Sequence, residues 1–260
     1  MSLFDLEGLS TTCEEGIKHE GVTSTQMDYI NEIIPSQSEW NNMSLSERQD
    51  TVLLINSRID EVEVFSGISS DDISSTLPDC AIAYMEEGYT IAYLEDVSCL
   101  EDCIEDMAQF YLQGKDIEYQ YGSLEQREAL AVEFFEGVQK DLGISCNLEF
   151  SSMKPYECGC YSSENGSITL NSQMLESNDP SELLKTIVHE SRHAYQQECI
   201  LAPNESNISS DTIAAWAMNY MPGYYIPFEW DPEAYQEQPL EKDAFTFENY
   251  VYEQAMNRLS

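Results

Sequence analysis

Between residues 179 and 199 the chain runs Asp-Pro-Ser-Glu-Leu-Leu-Lys-Thr-Ile-Val-His-Glu-Ser-Arg-His-Ala-Tyr-Gln-Gln-Glu-Cys, and no other stretch restricts the fold as tightly. Asp179, Pro180 and Glu182 have the pattern of a helix start: an N-cap acceptor, a proline at the first helical position and a capping-box glutamate. Leu183, Leu184, Ile187, Val188, Ser191, Ala194 and Tyr195 then recur with helical period and predict one buried face. His189 and His193, four residues apart, project together from the other side, with Glu190 beside them. Two imidazoles one turn apart are a ligand pair for zinc, and the adjacent carboxylate is placed to take a proton from water. The chain has only three histidines, and this motif holds two of them.

Charge narrows the range of partners. Forty-nine acidic residues against eleven basic ones give a net charge of −38, a surface that repels nucleic acid and anionic lipid. The expected partner is a protein or peptide substrate, with no nucleic acid and no membrane. Eight cysteines (Cys13, Cys80, Cys99, Cys103, Cys146, Cys158, Cys160, Cys199) are expected to be reduced thiols, because residues 1–8 lack a basic and then apolar leader pattern. A cytoplasmic location follows as an expectation, with non-classical export as an alternative. Cys99-x3-Cys103 and Cys158-x-Cys160 lack the spacing of zinc ribbons.

Along the chain, residues 1–35 are expected to be a loose acidic tail and a short helix ended by Pro35. Ser44 caps a helix carrying Val52, Leu53, Ile55, Ile59 and Val62, and a Ser/Asp-rich loop spans 69–79. The β-prone runs 80–84 and 89–94 around Met-Glu-Glu-Gly predict a hairpin. Residues 98–113 form a helix. Ser123 starts another (Ala129, Val132, Phe135, Val138, Leu142), closed by Gly143. A strand at 144–150 and a hairpin of 158–163 with 167–171 precede the metal-motif helix, and Pro239 opens the last helix. Ser44-Leu-Ser-Glu-Arg48 recurs as Ser123-Leu-Glu-Gln-Arg127, so residues 36–122 are expected to be a degenerate helix–hairpin–helix copy of part of the 123–260 domain.

His189-Glu-Ser-Arg-His-Ala-Tyr-Gln196, followed by Tyr235-Gln-Glu-Gln-Pro-Leu-Glu-Lys-Asp-Ala244, resembles a group of zincin-type metallopeptidase domains of Gram-positive bacteria and their mobile elements. The segment from Gly159 to Asn171 resembles the same group. The likeness covers about residues 123–250. It implies an α+β, zincin-like fold: a small antiparallel sheet packed on the active-site helix, with a mainly helical N-terminal region. Glu241-x-x-Ala244 matches the gluzincin pattern, which makes Glu241 the third ligand of one Zn2+ and Asp243 a group that orients a histidine. Arg192 is expected to pair with a carboxylate, and Tyr195 to lie in the packed face. By analogy with zincins, Ser167, Ile168, Thr169, Leu170 and Asn171 form an edge strand that pairs with extended substrate.

These features predict a zinc-dependent peptidase in which Glu190 is the general base and one of Tyr220, Tyr225 or Tyr235 stabilises the oxyanion. The alternatives are a catalytically silent zincin-fold binding or regulatory module, and an effector-type protease in bacterial competition.

Overall fold

The computed structural model describes residues 22–94, 96–221 and 223–259. The expected N-terminal tail and Cys13 lie outside them. The chain falls into two compact units that divide between Tyr93 and Leu94, so residues 94–122 belong with the metal motif and not with the region before it.

Hydroxyl caps start most helices of the first unit. Thr23, Ser36 and Ser44 each close a capping box at the head of α1 (Ser24–Asn31), α2 (Gln37–Asn41) and α3 (Leu45–Ser66), satisfying amides that a helix start leaves unpaired. α3 ends at Gly67, whose φ of 70° is a left-handed cap. Leu53 stands exposed, while Val52, Ile55, Ile59 and Val62 are buried. The loop expected at 69–79 contains a short helix, α4 (Ser70–Ser74).

The hairpin expected at 80–94 does not form. Asp79–Leu94 is a single helix, α5. Its buried positions Ala81, Tyr84, Ile91 and Leu94 fall on one helical stripe, and Tyr84 stacks on Trp40 with ring centroids 4.2 Å apart. Gly88, taken for a turn glycine, lies in the same stripe. A Cβ there would overlap the Val52 side chain, so it marks a close approach of α5 to α3. Helical burial period overrode the β-prone composition. With no hairpin, the helix–hairpin–helix duplication is overturned.

In the second unit, α6 (Val97–Leu112), α7 (Lys115–Tyr121) and α8 (Leu124–Asp141) precede a three-stranded sheet of β1 (Asn147–Ser151), β2 (Gly159–Ser162) and β3 (Ser167–Asn171). The buried face of α8 is Ala131, Phe134, Phe135 and Val138; of the expected positions Phe135, Val138 and Leu142 are buried, Val132 is half-buried and Ala129 is exposed. Then come α9 (Ser181–Leu201), α10 (Ser210–Asn219), α11 (Pro232–Glu237) and α12 (Pro239–Leu259). The class is α+β and mostly helical.

The sheet is mixed, not simply antiparallel. Its order is β1-β3-β2, with β1 parallel and β2 antiparallel to β3. This corrects the substrate-strand assignment. β3 is the central strand, Ser167, Ile168, Leu170 and Asn171 are buried, and both its edges are already paired, so it cannot add a further strand. Asn171 instead braces the loop before β2, donating from Nδ2 to the carbonyls of Glu157 (2.8 Å) and Lys154 (3.2 Å). β2 is the outer strand that packs on α9.

Candidate metal centre

Two buried helices carry the site. α9 starts where Asp179 Oδ1 accepts from the Ser181 amide (3.0 Å) and hydroxyl (2.5 Å). Pro180 holds the capping position, and Glu182 closes no capping box. The expected one-sided burial is also corrected: His189, Glu190, Arg192 and His193 are as buried as the apolar face, because α8, α10, α12 and β2 pack around this helix. α12 begins where the Leu240 amide donates to Asn219 Oδ1 (3.1 Å). Gln238, just before it, exchanges two 3.1 Å hydrogen bonds with the Ile226 backbone, tying the aromatic 223–231 loop to the head of the helix.

His189, His193 and Glu241 meet between these helices. The two imidazole Nε2 atoms are 3.1 Å apart, and Glu241 Oε2 lies 3.3 Å from that of His189 and 3.4 Å from that of His193. Among the described residues this is the one group of three ligating side chains close enough to share an ion. Glu241 Oε1 accepts from the Tyr225 hydroxyl (2.8 Å), whereas Oε2, 2% exposed as a residue, has no hydrogen-bond donor. A buried oxygen left bare is costly unless something positive meets it. Three donors of a tetrahedral site with bonds of ~2.0–2.1 Å stand ~3.3–3.4 Å from one another. The residues therefore fit a divalent metal held by two imidazoles and a carboxylate.

No family model, curated protein or solved structure gives a significant match to this chain. The chemistry of the site must come from its own residues.

Those residues fix both rings. Gln196 Nε2 donates to the Leu240 carbonyl (2.9 Å) and to Asp243 Oδ2 (2.7 Å), so its Oε1 faces His193 Nδ1 at 2.8 Å. Donation from His193 Nδ1 to Gln196 would leave Nε2 to face His189 and Glu241. Asp243 reaches a histidine only through Gln196. Its carboxylate also accepts from Arg192 Nε (2.8 Å) and Nη2 (3.1 Å), the pairing anticipated for that arginine. The fully buried guanidinium is sandwiched by Tyr195 and Phe247, at 4.7 and 4.6 Å. Tyr195 is half-buried and donates to Asp96 (2.7 Å). Glu248 Oε2 approaches His189 Nδ1 to 3.1 Å without hydrogen-bond geometry, and the His189 ring rests on Phe245. Sequence reasoning missed both supports. Glu248 lies seven residues after Glu241 and Gln196 seven after His189, so each shares a helix face with a member of the His189, His193 and Glu241 cluster.

The site's electrostatics favour positive charge. Burial works against a charged His189, but Glu241 and Glu248 beside it outweigh that and raise its pKa to about 10. Burial would lift Glu241, yet His193 and His189 hold its carboxyl well below the usual range. Burial raises Glu190, the imidazoles oppose this, and the Glu241 charge adds to the rise.

A cleft of about 330 Å3 opens on His189 and Glu190. Gly159 of β2 makes room for the Glu190 stem: a Cβ there would stand 3.0 Å from Glu190 Cγ and Thr186 Cγ2. Tyr225 and Tyr235 line the cleft, and Tyr235 meets Tyr225, Phe228 and Phe245 edge-on. Tyr220, at the end of α10, is 39% exposed; burial, with Tyr161, Glu241 and Glu190 near it, pushes its phenol up. Cys99 and Cys103 are buried in α6, and no cysteine joins the ligand group among the described residues. No helix among the described residues is long and apolar enough to cross a membrane.

Proposed function

We propose that the protein is a zinc-dependent, zincin-like peptidase that hydrolyses peptide bonds with Glu190 as general base. The observation that supports this most is the triangle of His189 Nε2, His193 Nε2 and Glu241 Oε2, 3.1–3.4 Å on a side, with Glu190 one residue from the first ligand and lining the cleft. His189, His193 and Glu241 would hold the ion. When bound, zinc supplies Lewis acidity, lowering the pKa of water toward about 7 and polarising a carbonyl.

The remaining work belongs to the chain. Glu190 accepts the proton that the attacking water loses and returns it to the nitrogen of the departing amine, so the two fragments leave as acid and amine. Its partly desolvated carboxyl favours that return. Of the three tyrosines, Tyr225 and Tyr235 line the cleft, and either phenol is placed to face a developing oxyanion. Extended substrate would lie along the outer side of β2, beside Glu190, in place of the enclosed β3.

The test is a pair of measurements on purified protein. Elemental analysis should find about one zinc per chain, and Glu190→Gln should keep that zinc while losing hydrolysis of a quenched-fluorescence peptide library. Loss of zinc from Glu190→Gln, or equal hydrolysis by the variant, contradicts the assignment.

A further inference from the structure

We infer that the cleft takes a cationic side chain, lysine or arginine, of a peptide substrate; this substrate class rests on the peptidase reading. Carboxylates and rings dominate the walls. Glu157, Glu182, Glu190, Glu229 and Glu248 line the cleft, and among the described lining residues there is no lysine or arginine. With them stand Tyr156, Tyr225, Phe228, Tyr235 and Phe245, and Tyr156 stacks on Phe228 with ring centroids 6.2 Å apart.

The carboxylates differ in what already answers them. Lys154, reaching in from the rim, bridges Glu157 (2.9 Å) and Glu229 (3.0 Å) and lies 5.3 Å from the Tyr156 ring. The rim thus already holds one ammonium with carboxylates and an aromatic face. Lys185 stands 3.9 Å from Glu182 and 3.7 Å from Glu248, beyond hydrogen-bond length in both cases. Glu182 and Glu248 therefore keep acceptor capacity toward the cleft, while Glu190 is left to its proton transfer. Both act, together with Glu190, on one point: after burial, their charges are the next causes that raise the Cys158 thiol, itself in the wall.

A long cationic side chain matches both surfaces. Its methylenes cover ring area while its head meets the carboxylates and ring faces, which attract it electrostatically. An acidic side chain meets repulsion at that spot, and a purely apolar one buries the carboxylates without a partner.

The experiment measures equilibrium binding to the zinc-loaded Glu190→Gln protein, which separates recognition from cleavage. The probes are neutral-dye nonapeptides of Gly, Ala and Ser carrying a central Lys, Arg, Leu or Glu. Because the whole chain is acidic, two charge reversals serve as the comparison: Glu182→Lys in the cleft wall, and Glu136→Lys on the exposed face of α8, outside it. Lys and Arg peptides should bind at least about tenfold tighter than Leu or Glu peptides. Glu182→Lys should erase most of that preference, and Glu136→Lys should leave it within about twofold. Leu or Glu peptides binding as well as Lys, no peptide binding, or equal effects of the two reversals would overturn the inference. Hydrolysis by the wild-type protein is scored separately. Cation-selective binding without cleavage defeats the peptidase reading alone, and cleavage without cation preference defeats this inference alone.

Discussion

At Ser44 and again at Ser123 a helix begins with Ser-Leu, and four residues on an arginine folds back over the helix before it. Arg48 Nε donates to the Trp40 carbonyl (3.1 Å) and its Nη2 reaches that of Asn41 (3.4 Å). Arg127 Nε donates to the Tyr119 carbonyl (2.9 Å) and its Nη2 to that of Gln120 (3.0 Å). Each guanidinium also lies over the aromatic ring it reaches back to, Trp40 at 5.6 Å and Tyr119 at 5.2 Å. Equivalent atoms meet at an offset of 79 residues, and both serines close capping boxes. The remaining donors differ. Arg48 Nη1 pairs with Glu87 at 2.5 Å, securing α5. Arg127 Nη1 binds the Leu175 and Ser177 carbonyls (2.8 and 2.7 Å), and its Nη2 also binds Asn178 Oδ1 (2.6 Å). One local code thus ties two helices together in the first unit, and in the second fixes the segment that leads into α9.

Breaking the corners should expose that difference. Arg127→Met strands several buried acceptors at once and should cost about 3 kcal/mol, with a melting shift of ~2–4 °C per kcal/mol. It should also weaken zinc binding, because the entry to α9 is released. Arg48→Met leaves Glu87 with the Trp40 indole N–H (2.7 Å) and should cost about 1–2 kcal/mol without changing zinc affinity. Thermal scans and zinc titration of both variants check this. Equal loss of zinc affinity would mean that the corners are not specialised.

Two close-approach glycines, one in each unit, differ in the same way at a smaller scale. Gly88→Ala pushes a methyl into Val52 and should cost about 1–3 kcal/mol in the first unit. Gly159→Ala meets Glu190, Leu170 and Thr186 at 3.0 Å and should lower peptide hydrolysis more than it lowers the melting temperature. Denaturation midpoints read beside initial rates separate the two effects.

How much of this was legible in the sequence depended on range. The approach of His189 and His193 was visible because the helix repeat places i and i+4 on one face, and Glu241 was expected beside them only from the resemblance of Glu241-x-x-Ala244 to a gluzincin pattern. The Ser44 and Ser123 caps were visible because capping is local. The 80–94 segment was misassigned because Ile, Tyr and Thr favour strands, while its buried stripe is set by partners far along the chain. The sheet order was hidden for the same reason. β1 pairs with β3 across the β2 excursion, which no local pattern encodes, so the central strand was taken for an edge. Glu248 and Gln196 were encoded by helical spacing from the ligands.

The smallest effect concerns a charge in the second unit that its neighbours oppose. Burial, then the charges of Asp106 and Asp102, raise Asp141 to about 6, above the ~3.9 of an unfolded chain. A raised folded pKa favours the native state below about pH 4, and that contribution is lost as pH rises through about 6. Asp141→Asn should therefore raise the melting temperature by a degree or two at pH 7.5 and leave it unchanged at pH 4. An equal gain at both values would point to packing instead of charge.

On the proposed reading, α9 and α12 together hold one divalent metal through His189, His193 and Glu241. Zinc titration of metal-free protein, followed by elemental analysis after gel filtration, tests it most directly. The wild type should retain about one zinc per chain. The His189→Ala/His193→Ala variant should retain none, and Glu241→Ala should weaken binding well beyond the ~10–100-fold expected for Asp243→Ala. Stoichiometric zinc in the double-histidine variant, or a metal-free wild type under saturating zinc, would contradict the site.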